Sequence, residues 1–284
     1  MAELLLLQRL DIRTRPTSRQ LLRRLATVPA AAARYPQRTF AGEISLRDRM
    51  TPVRYQGGLG TCASFGVVAC LEYFCQQDLS EACITHETET QFGDCKAGLD
   101  IGQVMVAAQS NGVVTEVYWP YDYRQICWTN PPDVSTRPRY AFNDVWLVYA
   151  TQRQEIVARM RRAERPLESS CVEQIKETID RFRVPVAVAV PVFRKSTDHL
   201  DAGWEAGDIH MPTPSAAAAW VELRKDTPDS GDDWHTIPIC GYDDQTARFT
   251  FKNSWGGWWG DRGFGTISYE YIITYSSEAF AATA

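Results

Sequence analysis

The sequence predicts an α+β protein built from two unlike lobes, a helical lobe followed by a β-rich lobe. Two observations indicate this division. In the first half, apolar residues recur at helical spacing, most clearly over 62–77. In the second half, apolar segments such as 184–192 are short, rich in β-branched residues and punctuated by proline. We therefore predict a helical lobe at 45–135 and a β-rich lobe at 136–284, with a Pro-Pro pair at 131–132 near the boundary.

Three helices and four strands are predicted along the chain. The helices cover 62–77, 100–110 and 170–182; the first follows a glycine-rich loop, and the third opens with a Ser-x-x-Glu capping box. The strands cover 184–192, 235–242, 248–253 and 263–268. The intervening segment 194–233 is long, polar and rich in Gly, Pro and Asp, which predicts a surface insertion.

Composition limits the classes of function. The chain has 284 residues, of which 44% are hydrophobic, enough for one large domain or two lobes. Its 30 Lys and Arg against 35 Asp and Glu give a formal net charge of −5, so it lacks the positive field typical of nucleic-acid-binding proteins. Its apolar runs are shorter than the roughly 18–20 residues that span a bilayer. We therefore expect neither nucleic acid nor a membrane as a partner.

The N-terminal segment 1–44 is basic. Residues 1–40 hold eight arginines against two acidic residues, a net charge of +6. The apolar run at 4–7 is shorter than the about 7–15 residues of a secretory signal, so we expect a cytoplasmic protein, with export by another route left open. The segment is interpreted as a basic extension or a short inhibitory pro-segment, with a transit peptide as a third alternative.

The eight cysteines include one with an unusual position. The closest pair is five residues apart, so neither a Cys-x-x-Cys redox motif nor a zinc-finger spacing is present, and we predict no metal and no cofactor. Without an export signal, reduced thiols are expected. Cys62 differs from the others because it opens the first predicted helix, where the partial positive charge of the helix N-terminus favours a thiolate.

Two further residues complete a candidate constellation with Cys62. His235 opens an apolar strand, and Asn253 ends a later strand beside several tryptophans. A cysteine nucleophile needs a lowered thiol pKa, a base within reach and a group that fixes the ring of the base. A protonated His235 would favour the thiolate, and the side-chain oxygen of Asn253 would accept the other imidazole N–H.

In these motifs the sequence resembles the papain family of cysteine proteases. The nucleophile motif of the family, Gln-Gly-x-Cys-Gly-x-Cys-Trp-x-Phe, appears here as Gln56-Gly-Gly-Leu-Gly-Thr-Cys62-Ala-Ser-Phe65. The histidine strand, His followed six residues later by Gly-Tyr, appears at 235–242. The motif Asn-Ser-Trp-Gly-x-x-Trp-Gly-x-x-Gly appears at 253–263. The resemblance runs from about residue 45 to residue 272.

The resemblance implies a papain-like fold, with a helical left lobe, a β-barrel-like right lobe and an active-site cleft between them. By this resemblance Cys62 is the nucleophile, His235 the general base and then acid, and Asn253 the residue that orients the imidazole. The side-chain amide of Gln56 and the backbone N–H of Cys62 would form the oxyanion hole. Trp255 would cover the hydrogen bond between the histidine and the asparagine.

The implied activity is hydrolysis of peptide bonds in polypeptide substrates through a thioester acyl-enzyme. We expect Gly60, Gly98 and Trp234 to contact the substrate, and we expect a protein inhibitor as a further partner in the cleft. The family mechanism implies a preformed thiolate–imidazolium pair, with the pKa of the Cys62 thiol lowered to ~3–4.

The sequence departs from the family pattern at three positions. Leu59 stands where the family has a disulfide cysteine, which leaves the matching Cys95 without its partner. Ala63 replaces the tryptophan that follows the nucleophile, which would slow catalysis or widen the cleft. Ala97 replaces a glycine, which would narrow the strip where the substrate backbone pairs.

Two alternative functions stay open. The first is a related acyl-transfer enzyme, such as a transpeptidase or an amidase, because the same triad would serve it. The second is a catalytically weak binding protein that keeps the fold, which the alanine after the nucleophile favours.

Two hypotheses concern the insertion at 194–233. Trp204 and the segment 207–212 would form a lid over the cleft. Four aspartates before His235 would make the rim of the cleft acidic and favour basic substrates: Asp226, Asp229, Asp232 and Asp233.

Overall fold

The computed structural model describes six segments of the chain: 42–93, 98–125, 131–162, 170–194, 199–224 and 233–284. Most of the basic N-terminal segment lies outside them. Cys95, Ala97 and three of the four aspartates of the proposed acidic rim also lie outside the described residues.

The described elements alternate between helices and strands in the second half of the chain. The helices are α1 (Cys62–Cys75), α2 (Glu81–Phe92), α3 (Ile101–Asn111), α4 (Arg153–Arg161), α5 (Ser170–Phe182), α6 (Pro214–Leu223) and α7 (Tyr269–Tyr275). The strands are β1 (Glu43–Ser45), β2 (Asp144–Ala150), β3 (Val186–Pro191), β4 (Asp208–Ile209), β5 (Trp234–Asp243), β6 (Arg248–Lys252), β7 (Phe264–Ser268) and β8 (Glu278–Thr283). Within these segments no helix has the length and apolar character needed to cross a membrane.

The strands form one sheet in the order β2-β8-β3-β5-β6-β7-β4, and β1 pairs with β5 outside this path. Neighbouring strands are antiparallel except β4 and β7, which are parallel. Strand β5 has a central place in the sheet, because β3, β6 and β1 all pair with it.

The described residues form two hydrophobic clusters, and the division into lobes at residue 135 stays a prediction. One is formed largely by α1, α2 and α3, with Leu71 and Met105 among its fully buried residues. The other packs the sheet against α5 and α7, with Ile175 and Phe249 at its centre. The α+β prediction and the three predicted helices and four predicted strands are therefore confirmed. The second lobe contains more helix than the sequence indicates.

Strand β1 crosses between the lobes. It precedes α1 in the chain, yet it pairs with the end of β5, with Ile44 opposite Tyr242. Ile44 is buried in the hydrophobic cluster of the β-rich lobe. Glu43 and Ile44 belong to the segment 1–44, which the sequence predicts to be a basic extension or a short pro-segment, so the end of that segment is part of the sheet.

Helix α1 lies at the contact between the lobes. Its residues from Ala63 to Tyr73 are buried, and a helix that is apolar on all sides belongs in a protein interior. At Gly66 the helix approaches β5 so closely that an added Cβ would lie 2.6 Å from Cγ2 of Thr236. This close approach holds the start of α1 against the start of β5.

The insertion at 194–233 contributes to the interior as well as the surface. Trp204 is fully buried and Trp220, on α6, is almost fully buried. Residues 208–209 form β4, which pairs with β7. The structure therefore contradicts the idea that Trp204 is part of a lid, because its indole is enclosed in the core of the β-rich lobe.

Candidate active site

Cys62 is the first residue of α1, and its side chain is half-buried where this helix meets β5. Its Sγ lies 3.8 Å from the carbonyl oxygen of Trp234. Hydrogen bonds with Thr236 also reach the sulfur. The sulfur therefore contacts the residues on both sides of His235, so the fold brings the predicted nucleophile and the predicted base to one place.

His235 and Asn253 are joined by a hydrogen bond of 2.8 Å between Nε2 and Oδ1. Oδ1 also accepts the backbone N–H of Ser254 at 2.8 Å, which fixes the amide. Because a carbonyl oxygen only accepts hydrogen bonds, Nε2 of His235 must carry the hydrogen. In the neutral ring Nδ1 is then the free acceptor, which is the form that a general base requires.

Burial governs the charge of both reacting groups. It raises the pKa of the Cys62 thiol, although hydrogen bonds with Thr236 and Ala63 and the charge of Arg153 oppose the shift. Burial also lowers the pKa of His235 to about 4, against the smaller effect of the Asn253 hydrogen bond. Both shifts favour the neutral forms at neutral pH.

The preformed thiolate–imidazolium pair that the resemblance implies stays a prediction. Each shift reflects the loss of water around one group, and the attraction between a thiolate and an imidazolium is not among its causes. For the thiol, desolvation outweighs the contacts that favour its ionised form, an effect that the position of Cys62 at a helix N-terminus does not reveal.

Two tryptophans enclose the imidazole of His235. The ring of Trp255 lies 5.0 Å away at an interplanar angle of 35°, the covering position that the sequence predicts. The ring of Trp204 meets it edge-on at 5.9 Å and 80°. The role of Trp204 beside the histidine has no signal in the sequence, since it depends on how the insertion packs.

Both the nitrogen and the oxygen of the Gln56 side-chain amide form hydrogen bonds. Its Nε2 donates to the carbonyl oxygen of Leu59 at 2.8 Å, and its Oε1 accepts a hydrogen bond from Ser254 Oγ. Tyr121 Oη donates to the backbone carbonyl of Gln56 at 2.9 Å. An amide nitrogen has two hydrogens, so one remains for an oxyanion after the bond to Leu59.

The predicted substrate-contact glycines lie side by side. A Cβ added to Gly60 would be 3.7 Å from Cα of Gly98, and Gly98 has a φ of +74° that favours glycine. Both are exposed, so they form an open strip of backbone near the start of α1.

The structure gives Trp234 and Ala63 positions that differ from the expectation. The indole of Trp234 is buried against Trp220 and the guanidinium of Arg153, so its backbone carbonyl, rather than its ring, reaches the site. Ala63 is fully buried in the core of the helical lobe and does not line a cleft.

A cluster of buried charges lies behind the site and has no signal in the sequence. Arg54 forms ion pairs with Asp78 at 2.7 Å, with Glu116, and with Glu81 at 3.9 Å. Burial raises the pKa of Glu81 to about 8, with Arg54 opposing the shift and Glu72 and Glu116 adding to it. Glu81 lines a small cavity that Asn253 also lines.

The one described aspartate of the proposed acidic rim is neutralised. Asp233 pairs with Arg194 at 3.0 Å and with Arg224 at 2.9 Å, so it offers no free negative charge to a basic substrate. Among the described residues no three His, Cys, Asp or Glu side chains are grouped closely enough to hold a metal ion.

Comparison with known proteins identifies relatives over most of the chain. Residues 41–282 match the family described as papain family cysteine protease. A curated relative, Peptidase 1 of Dermatophagoides farinae, is 23% identical over 247 residues. The match covers 83% of this chain and 63% of that protein, so the chain spans less than two thirds of the length of its relative.

Solved structures with the same fold include the following two. Xylellain, a cysteine protease from Xylella fastidiosa, matches with a TM-score of 0.58 and 18% identity, over 87% of each chain. The Carica candamarcensis cysteine protease CMS1MS2, solved in complex with E-64, matches with a TM-score of 0.55 and 20% identity. That match covers 86% of this chain and 98% of the other.

Proposed function

Because the chain belongs to the papain family of cysteine proteases, we propose that it hydrolyses peptide bonds with Cys62 as nucleophile and His235 as base. The observation that carries this proposal is the hydrogen bond between His235 and Asn253, at the point where the sulfur of Cys62 meets β5. It leaves Nδ1 of a neutral imidazole as the acceptor for the thiol proton.

The first half of the reaction forms an acyl-enzyme. His235 takes the thiol proton of Cys62 as the sulfur attacks the carbonyl carbon of the substrate. The resulting oxyanion is stabilised by the remaining amide hydrogen of Gln56 and by the backbone N–H of Cys62. The imidazolium of His235 then gives its proton to the leaving amine as the C–N bond breaks, and a thioester remains.

The second half releases the product. Water loses a proton to Nδ1 of His235 and attacks the thioester carbonyl, and the proton returns to the leaving sulfur of Cys62. The products are a carboxylic acid and the free thiol. Asn253 keeps the imidazole in one orientation, and Trp255 limits the access of water to the bond between them.

Replacing Cys62 tests the proposed function. We expect Cys62→Ala to lower peptide hydrolysis by at least about a thousandfold, because the covalent path is lost. The matched control is Cys75→Ala, which removes another half-buried free thiol of α1 and should leave the rate unchanged. Hydrolysis of a proteome-derived peptide pool, followed by mass spectrometry, measures both.

Three outcomes separate the open functions. Full activity in Cys62→Ala contradicts the proposal. An inert wild-type protein that still binds peptides supports the binding protein instead. If an added amine captures most of the acyl group at concentrations far below that of water, the protein is an acyl-transfer enzyme. We also expect E-64, which the Carica relative binds in its structure, to inhibit the wild-type protein.

A further inference from the structure

Three aromatic side chains form an exposed group beside the proposed active site. Tyr55 is 44% exposed, Tyr123 is 51% exposed and Trp258 is 74% exposed. The ring of Tyr55 lies 5.8 Å from that of Tyr123 and 5.0 Å from that of Trp258. We call these three residues the aromatic platform. Exposed aromatic residues in contact with one another are typical of binding surfaces.

The platform is joined directly to the catalytic groups through the backbone. Tyr55 forms a β-bridge with Trp255, whose indole stacks on His235. The next residue, Gln56, donates its backbone N–H to Ser254 at 2.8 Å. The platform therefore continues the surface that holds the proposed base and the proposed oxyanion donor.

The proposed mechanism indicates which part of the substrate contacts the aromatic platform. His235 must protonate the leaving amine, so the part of the substrate that follows the cleaved bond lies beside its imidazole. The surface next to that imidazole is Trp255, and the platform adjoins Trp255 through Tyr55. The acyl part of the substrate lies on the other side, along the strip formed by Gly60 and Gly98.

The ring of Trp258, the most exposed of the three, packs against the backbone. Gly256 has a φ of +88°, and an added Cβ there would lie 2.5 Å from the ring of Trp258. The outer part of the indole therefore contacts the backbone at Gly256 while 74% of the residue stays exposed. A ring supported in this way binds another ring at little cost in conformational entropy.

The charges around the platform favour a neutral occupant. The guanidinium of Arg124 lies 5.8 Å from the ring of Tyr123, and it is paired with Asp122 at 2.9 Å. The guanidinium over this ring would repel a basic side chain that approached the same ring. An apolar ring meets no such repulsion.

Resting on the proposed function, we propose that the aromatic platform is a subsite for an aromatic side chain among the first three substrate residues after the cleaved bond. Tyr55, Tyr123 and Trp258 then determine specificity on the leaving-group side. This subsite is additional to the backbone strip at the two glycines, which would serve the acyl side.

Four peptides and an ester test the subsite. The starting point is a peptide that the full chain cleaves; its residues after the cleaved bond are set to Ala, or to Ala with one Phe at the first, second or third position. An aromatic pair contributes about 0.5–1.5 kcal/mol, so we expect kcat/KM to be about two- to tenfold higher for the best Phe peptide. The methyl ester of the same acyl part has no residue to place on the platform.

Variants assign the preference to the platform. We expect Trp258→Ala and Tyr123→Ala to remove the Phe preference while leaving hydrolysis of the methyl ester unchanged. The control is Phe182→Ala, an exposed aromatic residue that contacts Trp146 at the end of α5 and should change neither. Equal rates for all peptides in the wild type, or equal losses on peptide and ester in Trp258→Ala, would overturn the subsite.

A binding measurement separates this proposal from the proposed function. If no peptide is cleaved, the five-residue amide Ala-Ala-Phe-Ala-Ala and its all-alanine counterpart are titrated into the full chain by NMR. Tighter binding of the Phe peptide that is lost in Trp258→Ala supports the platform even though the catalytic proposal has failed. Equal binding of the two peptides rejects the platform.

Discussion

His235 combines a fixed tautomer with a depressed pKa. The hydrogen bond to Asn253 holds the hydrogen on Nε2, and burial disfavours the charged ring. Because the folded-state pKa is about 4, the neutral base persists well below the ordinary histidine pKa near 6.5. A single residue therefore sets the acidic limit of the proposed activity.

The pH dependence of kcat/KM checks this property. We expect kcat/KM to stay at its neutral-pH value down to about pH 5 and to fall about tenfold per pH unit below pH 4, because protonated His235 cannot accept the thiol proton. Stopped assays on one peptide between pH 3 and pH 7 measure it, with activity re-measured at pH 7 to exclude unfolding. A decrease of kcat/KM that already begins at pH 6–7 would contradict the lowered pKa of His235.

The sequence indicates the proposed catalytic residues more directly than it indicates their surroundings. Cys62, His235 and Asn253 each stand in a contiguous motif, so local pattern is enough to find them. The contact of Trp204 with His235 depends on the packing of a polar insertion, and no local pattern encodes it. No local pattern encodes the raised pKa of the Cys62 thiol either, because its desolvation depends on how the folded chain packs around it and not on the helix N-terminus alone.

At the scale of elements, the contact between α1 and β5 positions the site. Gly66 lies one helical turn after Cys62, and its missing side chain lets Thr236, the residue after His235, pack directly against the helix. We expect Gly66→Ala to destabilise the protein by about 1–3 kcal/mol because the new Cβ overlaps Cγ2 of Thr236. We also expect kcat to fall as Cys62 and His235 move apart.

A second substitution tests this explanation. Thr236→Ser removes the Cγ2 methyl group and keeps the hydroxyl, so it should restore much of the stability and activity lost in Gly66→Ala. Urea denaturation and peptide hydrolysis of the four members of this double-mutant cycle measure the coupling. Additive effects of the two substitutions would show that the helix and the strand are not in steric contact there.

The elements that the sequence does not predict have identifiable reasons. Helix α2 is polar over much of its length, so its apolar residues show no helical period. Half of the residues of strand β8 are alanine, which is depleted in strands, and the strand is stabilised by pairing with β2 and β3 rather than by its own propensity. Both depend on contacts with distant parts of the chain.

At the scale of the whole molecule, buried carboxylates couple stability to pH. Burial raises the pKa of Glu81 from its ordinary value of 4.5 to about 8. Between these values the native state binds more protons than the unfolded state, so the free energy of unfolding falls as pH rises, by at most about 1.4 kcal/mol per unit. The pKa of Glu278 is raised to about 7 by the same cause, so its contribution has the same sign.

Glu81→Gln isolates the contribution of one carboxylate. We expect this variant to lose less stability than the wild type between pH 5 and pH 8, because glutamine does not ionise. Urea denaturation at pH 5, 6.5 and 8 compares the two proteins. Glu270→Gln, at an exposed position of α7, is the matched control and should leave the slope unchanged. Parallel curves for wild type and Glu81→Gln would contradict the assignment.

The crossing of β1 limits where the chain can be shortened. Its three residues supply backbone hydrogen bonds to the end of β5, and Ile44 fills a place in the apolar interior of the β-rich lobe. A cut that removed the basic N-terminal residues and left β1 intact would have to fall before Glu43. Cleavage beyond that residue would expose main-chain groups of β5, the strand near whose start the proposed base lies, and would loosen both strands.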